Sequence, residues 1–295
     1  MSNDSSKKTD SRKARADSFG ASSHLVSDKA EQSTAVDGKS QVAKSDQVTW
    51  NGWVGIGYAA LVFFAAQFVA SFVLLPYVWL QDWTVVQAKD WLNNSVVAHF
   101  WFFVVAEALT FAGIWWFVHR RRSSLRAIGF KSPRLKDVGL AVGGIVVYYI
   151  TLVVIVKIVQ ALVPALNLNQ DQDTGFQVTT DGMKLLMTFV SLVILPPLVE
   201  ETVFRGFVFS GLRAKLPFVG TALITSVLFG AAHLQQASGQ PLLWLAAIDT
   251  FTLSMFMCYL RERTGSIWPG IFMHATKNGI AFYVLFITPL LRIHP

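Results

Sequence analysis

Residues 184–212, KLLMTFVSLVILPPLVEETVFRGFVFSGL, decide the fold. The stretch has the length and apolar content of a membrane-spanning helix. It nevertheless carries Glu200, Glu201 and Arg205. Ionised side chains at bilayer depth are costly, so they persist there when buried in protein, paired or functional. Pro196 and Pro197 stand just before the acidic pair. Proline has no backbone N–H to donate, which predicts a kinked or broken helix at this point. Irregular backbone at membrane depth is tolerated where it faces protein or a water-filled cavity, as a reacting site does.

The chain on either side has the same character. Of its 295 residues, 53% are hydrophobic, and its mean hydropathy is +0.46, against about 45–50% apolar residues in soluble domains. Three apolar runs precede the fourth, which spans about 184–204: they lie at about 54–80, 96–118 and 138–163. Three more follow, at about 217–234, 241–260 and 266–288. The alternating ten-residue pattern of a membrane β-barrel is absent. The expectation is an all-α polytopic transmembrane helical bundle of about seven spans, with a kinked or broken fourth helix. Residues 1–50 are polar and poor in large apolar side chains, the composition of a disordered N-terminal tail. Residues 51–137 then hold two transmembrane helices and a basic loop, and residues 138–295 a membrane core.

The net charge of +7 does not point to nucleic acid, because the basic residues cluster between apolar runs. Arg120, Arg121, Arg122, Arg126, Lys131, Arg134 and Lys136 separate runs two and three; Arg213 and Lys215 follow run four, and Arg261 and Arg263 follow run six. Asp82, Asp90, Asp171, Asp173 and Asp181 occupy the alternate loops. By the positive-inside rule the basic loops and the N-terminus are cytoplasmic. With no signal peptide before residue 50, the first span acts as an uncleaved insertion signal. Cys258 is the single cysteine, which excludes a disulfide framework and a cysteine metal cluster.

Three groups of polar residues in apolar surroundings can carry chemistry. Glu201 and Arg205 are i,i+4 neighbours suited to an ion pair, while Glu200 faces about 100° away and is open to another partner. A charged patch at a helix end accounts for this group equally well. His233 closes the run LITSVLFGAAH, where a lone histidine is more often structural. His274 and Asn278 share one helix face. They suit either donation to an oxyanion or helix–helix hydrogen bonding. Straight upright helices ending at residues 204 and 234 would hold Glu200 and His233 at different depths; an amphipathic or broken segment at 205–216 would bring them level. Glu107, Lys157 and Asp249 lie within apolar runs without a motif around them and read as structural or accessory. Lys277 and Thr276 beside the His274 face support no catalytic role by spacing.

In order, EETVFR at 200–205, FGAAH at 229–233 and HATKN at 274–278 are EExxxR, FxxxH and HxxxN patterns. The set resembles the CAAX protease and bacteriocin-processing family (CPBP, or Abi) of intramembrane endopeptidases, over about residues 180–290. The resemblance implies a glutamate-dependent peptidase with no metal and no cofactor. Glu200 and His233 would activate water, His274 and Asn278 would stabilise the oxyanion, and Glu201 and Arg205 would orient the site. It further implies a membrane-associated protein or peptide as substrate, the lipid bilayer as surroundings, and a bacterial plasma-membrane location. Two other readings stand beside it. Glu200, Glu201, His233 and His274 could ligate a divalent metal, although no HExxH pair is present. Alternatively, the chain could be a non-proteolytic bacteriocin immunity or membrane scaffolding protein.

Overall fold

The computed structural model describes residues 46–168, 170, 174–234 and 242–293. All regular structure among them is helical. The tail expected at 1–50 lies outside the described residues up to residue 45, as do Asp171 and Asp173 of the acidic loop. In chain order the helices are α1 (Gly52–Leu80), α2 (Val85–Asn94), α3 (Val96–Arg120), α4 (Leu135–Leu162), α5 (Gly182–Arg213), α6 (Phe218–Ala232), α7 (Trp244–Thr264) and α8 (Trp268–Leu291). Helices α1, α3, α4, α5 and α8 are long and apolar enough to cross a membrane. The expected bundle is therefore present, with two of its seven spans differing in kind. Helix α6 is apolar but only 15 residues long, about 22 Å. Helix α7 dilutes its apolar residues with Asp249, Thr250, Thr252 and Ser254.

Local chemistry sets the helix ends. Asn51, Ser95 and Asp181 cap α1, α3 and α5 by accepting first-turn N–H groups, each cap contributing about 1 kcal/mol. Thr84 and Gln87 form a reciprocal capping box on the short amphipathic α2. Gly265 ends α7 in the left-handed conformation, and Pro269 starts α8 in its first turn.

Helices α5 and α8 are the inner pair: 33% of the apolar window of each is buried within the protein, against 17% for α1 and α4. Lipid tails are as apolar as leucine, so packing and close backbone approach hold such helices together. Around Trp50, which stacks on Phe207 at 4.9 Å and meets Phe117 edge-on, α1 comes against α5 through glycine. A Cβ at Gly211 would stand 2.6 Å from the Trp50 indole nitrogen. A second apolar cluster joins α4, α6, α7 and α8 through Tyr148, Phe229, Leu253, Met257 and Met273.

The fourth span carries the irregularity that its prolines predict. Helix α5 changes to π geometry at Val190–Ile194 and again at Thr202–Val208, with α geometry at Leu195–Glu201 between. It does not break. It continues to Arg213, whereas an amphipathic or broken segment at the interface was expected at 205–216. The physical reason is burial: Thr202 to Leu212 pack inside the bundle, so Arg205 does not mark the interface. Arg213 does, gripping Glu262 of α7 with two guanidinium nitrogens at 2.9–3.2 Å.

Candidate active site

Three helices meet beside the second π segment of α5. Glu201 and Arg205 are fully buried, with Glu201 Oε1 3.0 Å from Arg205 Nη1. The same oxygen lies 3.3 Å from His274 Nδ1 of α8, so the imidazole donates toward the carboxylate. Helix α8 can come this close because residue 270 is glycine: a Cβ there would stand 2.8 Å from Glu201 Oε2. From α6, Phe229 lies under the guanidinium, with Arg205 Cζ 4.2 Å from the ring centroid. Such a contact contributes about 2 kcal/mol when desolvated. The same ring meets His274 edge-on at 5.8 Å and His233 at 4.7 Å.

Glu200 faces away from this pair. It is half-buried, and its Oε2 is shielded from solvent without a hydrogen-bond partner. The charges of His274, Glu201, Arg205 and Lys277 act on it, and it acts in turn on Glu107 of α3. His233 caps the C-terminal end of α6 with Nδ1 2.8 Å from the Phe229 carbonyl. That carbonyl can only accept, so Nδ1 carries a proton, and in the neutral ring Nε2 then holds the lone pair. Glu200 and His233 make no hydrogen bond to each other.

Asn278 has a partner that the first proline explains. Pro196 cannot donate to a carbonyl one turn back, and the Leu192 carbonyl accepts Asn278 Nδ2 instead, at 2.9 Å. This is the helix–helix bond that its spacing also allowed. It leaves the second amide N–H and the Oδ1 of Asn278 for other partners.

The depth problem disappears because α5 is longer than its hydropathy suggests. Glu200 is thirteen residues above Arg213, about 20 Å along the axis, and His233 is fifteen residues above Phe218, about 22 Å. The two helices run antiparallel from the turn between them, so both groups lie at one level. Phe204 against Phe229 at 5.0 Å fixes the register one turn below.

Two residues set aside as accessory or as without a catalytic role border the site. Lys277 Nζ is 3.0 Å from Asp249 Oδ2, and the other Asp249 oxygen accepts the Tyr148 hydroxyl. Both charges act on His233. The available signal was that Lys277 follows His274 by three residues and so shares its face. Nothing in the sequence pointed to Gly270, or to Arg261, whose Nε donates to the Arg205 carbonyl and whose Nη2 donates to Ser210 Oγ, at 3.1 and 3.2 Å. Among the described residues, no group of three or more His, Cys, Asp or Glu side chains is placed to hold a metal ion.

Residues 182–280 match the model of the Rce1-like family, type II CAAX prenyl endopeptidases. The matched segment contains all three motifs and every residue of the site just described except Glu107 and Tyr148. Two curated proteins are similar over part of the chain. One is an Escherichia coli protein named "Uncharacterized 24.3 kDa protein", 37% identical over 103 residues, 33% of this chain and 45% of that one. The other is "Putative membrane peptidase YdiL" of Bacillus subtilis (strain 168), 38% identical over 93 residues, 32% of this chain and 34% of that one. The chain thus spans less than half the length of either relative. No solved structure matches it. The apolar helices and the family match together identify an integral membrane protein.

Proposed function

We propose that the chain is an intramembrane endopeptidase that hydrolyses a peptide bond in a membrane-associated protein or peptide. One observation carries the reading: α5, α6 and α8 bring a buried Glu201–Arg205–His274 contact, the unsatisfied carboxylate oxygen of Glu200 and the free Nε2 of His233 to one depth. A hydrolase needs a base beside a fixed cationic frame, and it needs both where the substrate runs.

Glu200 takes a proton from water as the oxygen attacks the scissile carbonyl carbon, with His233 Nε2 accepting a hydrogen bond from the same water. The carbonyl π electrons move to oxygen, which the imidazole edge of His274 and the free amide N–H of Asn278 stabilise. Each such donor contributes about 3 kcal/mol in comparable sites. Glu200 then returns its proton to the departing amine as the C–N bond breaks. Glu201 touches no reacting atom in this scheme; it holds His274 and Arg205 in place. The basic loops, with Thr49 bonded to the Arg121 carbonyl at the same end of the bundle, support a cytoplasmic N-terminus; the bacterial plasma membrane is the location that the family resemblance implies. The division into an N-terminal helix pair (51–137) and a peptidase core (138–295) follows the position of the motifs.

The test is Glu200→Gln, compared with wild type by quantitative proteomics of membrane peptides. The expected result is accumulation of uncut substrates with the variant present at wild-type level in the membrane. Unchanged cleavage products would refute Glu200 as the base. Retained protection of cells by the variant in a bacteriocin challenge would favour the non-catalytic immunity reading instead.

A further inference from the structure

Arg205 is fully buried, and its guanidinium offers five N–H donors. Its contacts are Glu201 Oε1 at 3.0 Å and the Phe229 ring face; Nε and Nη2 make no hydrogen bond to protein. Three fully buried hydroxyls on the neighbouring helices are in the same condition: Thr225 and Ser226 on α6, and Ser254 on α7. Thr225 and Ser226 precede Phe229 by four and three residues, so they lie on the face of α6 that supports the guanidinium. Ser226 and Ser254 flank the thiol of Cys258, which also senses the charges of Arg205 and Glu201. From Glu201 to Cys258 the polar groups thus form one connected neighbourhood.

Ser191 and Thr221 are buried without partners elsewhere in the bundle, whereas several intramembrane threonines satisfy their hydroxyls locally. Thr188, Thr202, Thr250 and Thr252 each donate to the carbonyl four residues back, at 2.7–2.9 Å. Ser226 and Ser254 have the Cys258 sulfur, a weak acceptor, beside them, and Thr225 has no hydrogen-bond partner. A buried polar group left unsatisfied costs about 1–3 kcal/mol, more when charged, and several adjoin here. The apolar cluster that contains Phe204, Phe229, Leu253 and Met257 adds no strong acceptor.

We propose that the space between Arg205, Thr225, Ser226, Ser254 and Cys258 holds ordered internal water, a buried hydration site behind the Glu201–Arg205 pair. Each water there would find the two to four polar partners that internal waters normally have. The site completes the hydrogen bonding of a guanidinium that the fold removes from bulk solvent. It also keeps water at a bilayer depth where lipid supplies none. The inference rests on the burial and orientation of these groups and holds whether or not the chain is a peptidase.

The experiment is X-ray radiolytic footprinting of the full-length protein in lipid nanodiscs and oxygen-18 water, read by mass spectrometry. Cys258 and Met273 are both fully shielded from bulk solvent, and both sulfur side chains oxidise readily, so hydration beside Cys258 predicts labelling roughly tenfold faster or more, with the heavy isotope incorporated. Met273 packs against Gly144 and Leu260 and serves as the dry reference. In Ser226→Val/Ser254→Val, which fills the space with methyl groups, Cys258 should fall to the Met273 rate. Equal slow labelling of Cys258 and Met273 in wild type overturns the proposal, and this comparison needs no folded variant. Fast Cys258 labelling that persists in a folded double variant overturns it as well, because the label would then arrive by another route.

Discussion

Gly270→Ala separates two physical effects of opposite sign. In a helix, alanine is favoured over glycine by about 1 kcal/mol, so propensity alone predicts a more stable protein. The new Cβ, however, would stand 2.8 Å from Glu201 Oε2 and 3.5 Å from its Cδ. Reaching an ordinary contact of 3.4 Å requires the carboxylate to retreat by 0.6 Å. Glu201 is fully buried and its other oxygen is tied to Arg205 and His274, so retreat loosens both partners. Losing one member of a buried charge pair costs about 3–5 kcal/mol. Subtracting the propensity gain leaves a net destabilisation of about 2–4 kcal/mol. A misplacement approaching 1 Å is also worth about a hundredfold in rate at a site that depends on positioning. Unfolding by SDS titration in mixed micelles measures the first quantity. Gly139→Ala is the reference, because nothing lies within 4 Å of the Cβ it would add; it should show the propensity gain undisturbed. A Gly270→Ala protein as stable as Gly139→Ala, with unchanged substrate cleavage, would refute the argument that α8 needs glycine at 270 to approach the Glu201 carboxylate.

Two further substitutions probe the frame around the site. Glu201→Gln keeps the shape but leaves Arg205 charged and uncompensated, so stability should fall by about 3–5 kcal/mol in the same titration. The double variant Glu201→Gln/Arg205→Met should recover part of that loss, and a double variant at least as unstable as the single would contradict it. Arg261→Met removes two charge-assisted bonds, to the Arg205 carbonyl and Ser210, for an expected loss of about 3 kcal/mol. A loss below about 1 kcal/mol would show that the π segment does not depend on Arg261.

The sequence was legible where chemistry is local. Glu201 and Arg205 pair at the spacing that predicts pairing, and the prolines mark where α5 departs from α geometry. Reasoning failed where burial depends on a partner helix. Arg205 reads as an interfacial cation until α6 and α8 cover it, and that misplaced the end of the fourth span and with it the depth of the site. Lys277 and Asp249 are far apart in sequence and carry no motif; only the packing of α7 on α8 makes them a pair. Asn278 is the intermediate case. Its partner, the Leu192 carbonyl, was deducible from Pro196, because a missing donor on one helix implies a free acceptor on the same helix.

The two π segments of α5 have a consequence for how such chains diverge in length. A π turn accommodates one residue beyond the α repeat, so losing a single residue from Val190–Ile194 lets that turn relax to α geometry and leaves Leu195–Glu201 intact. Because the π turn had absorbed the extra residue, the helix on either side would keep its facing, and the Glu201–Arg205 pair would be unchanged. The same loss between Glu201 and Arg205 would turn i,i+4 partners into i,i+3 partners and swing the guanidinium off Phe229. Alignment gaps among related chains should therefore be tolerated in the first π segment and excluded from the second.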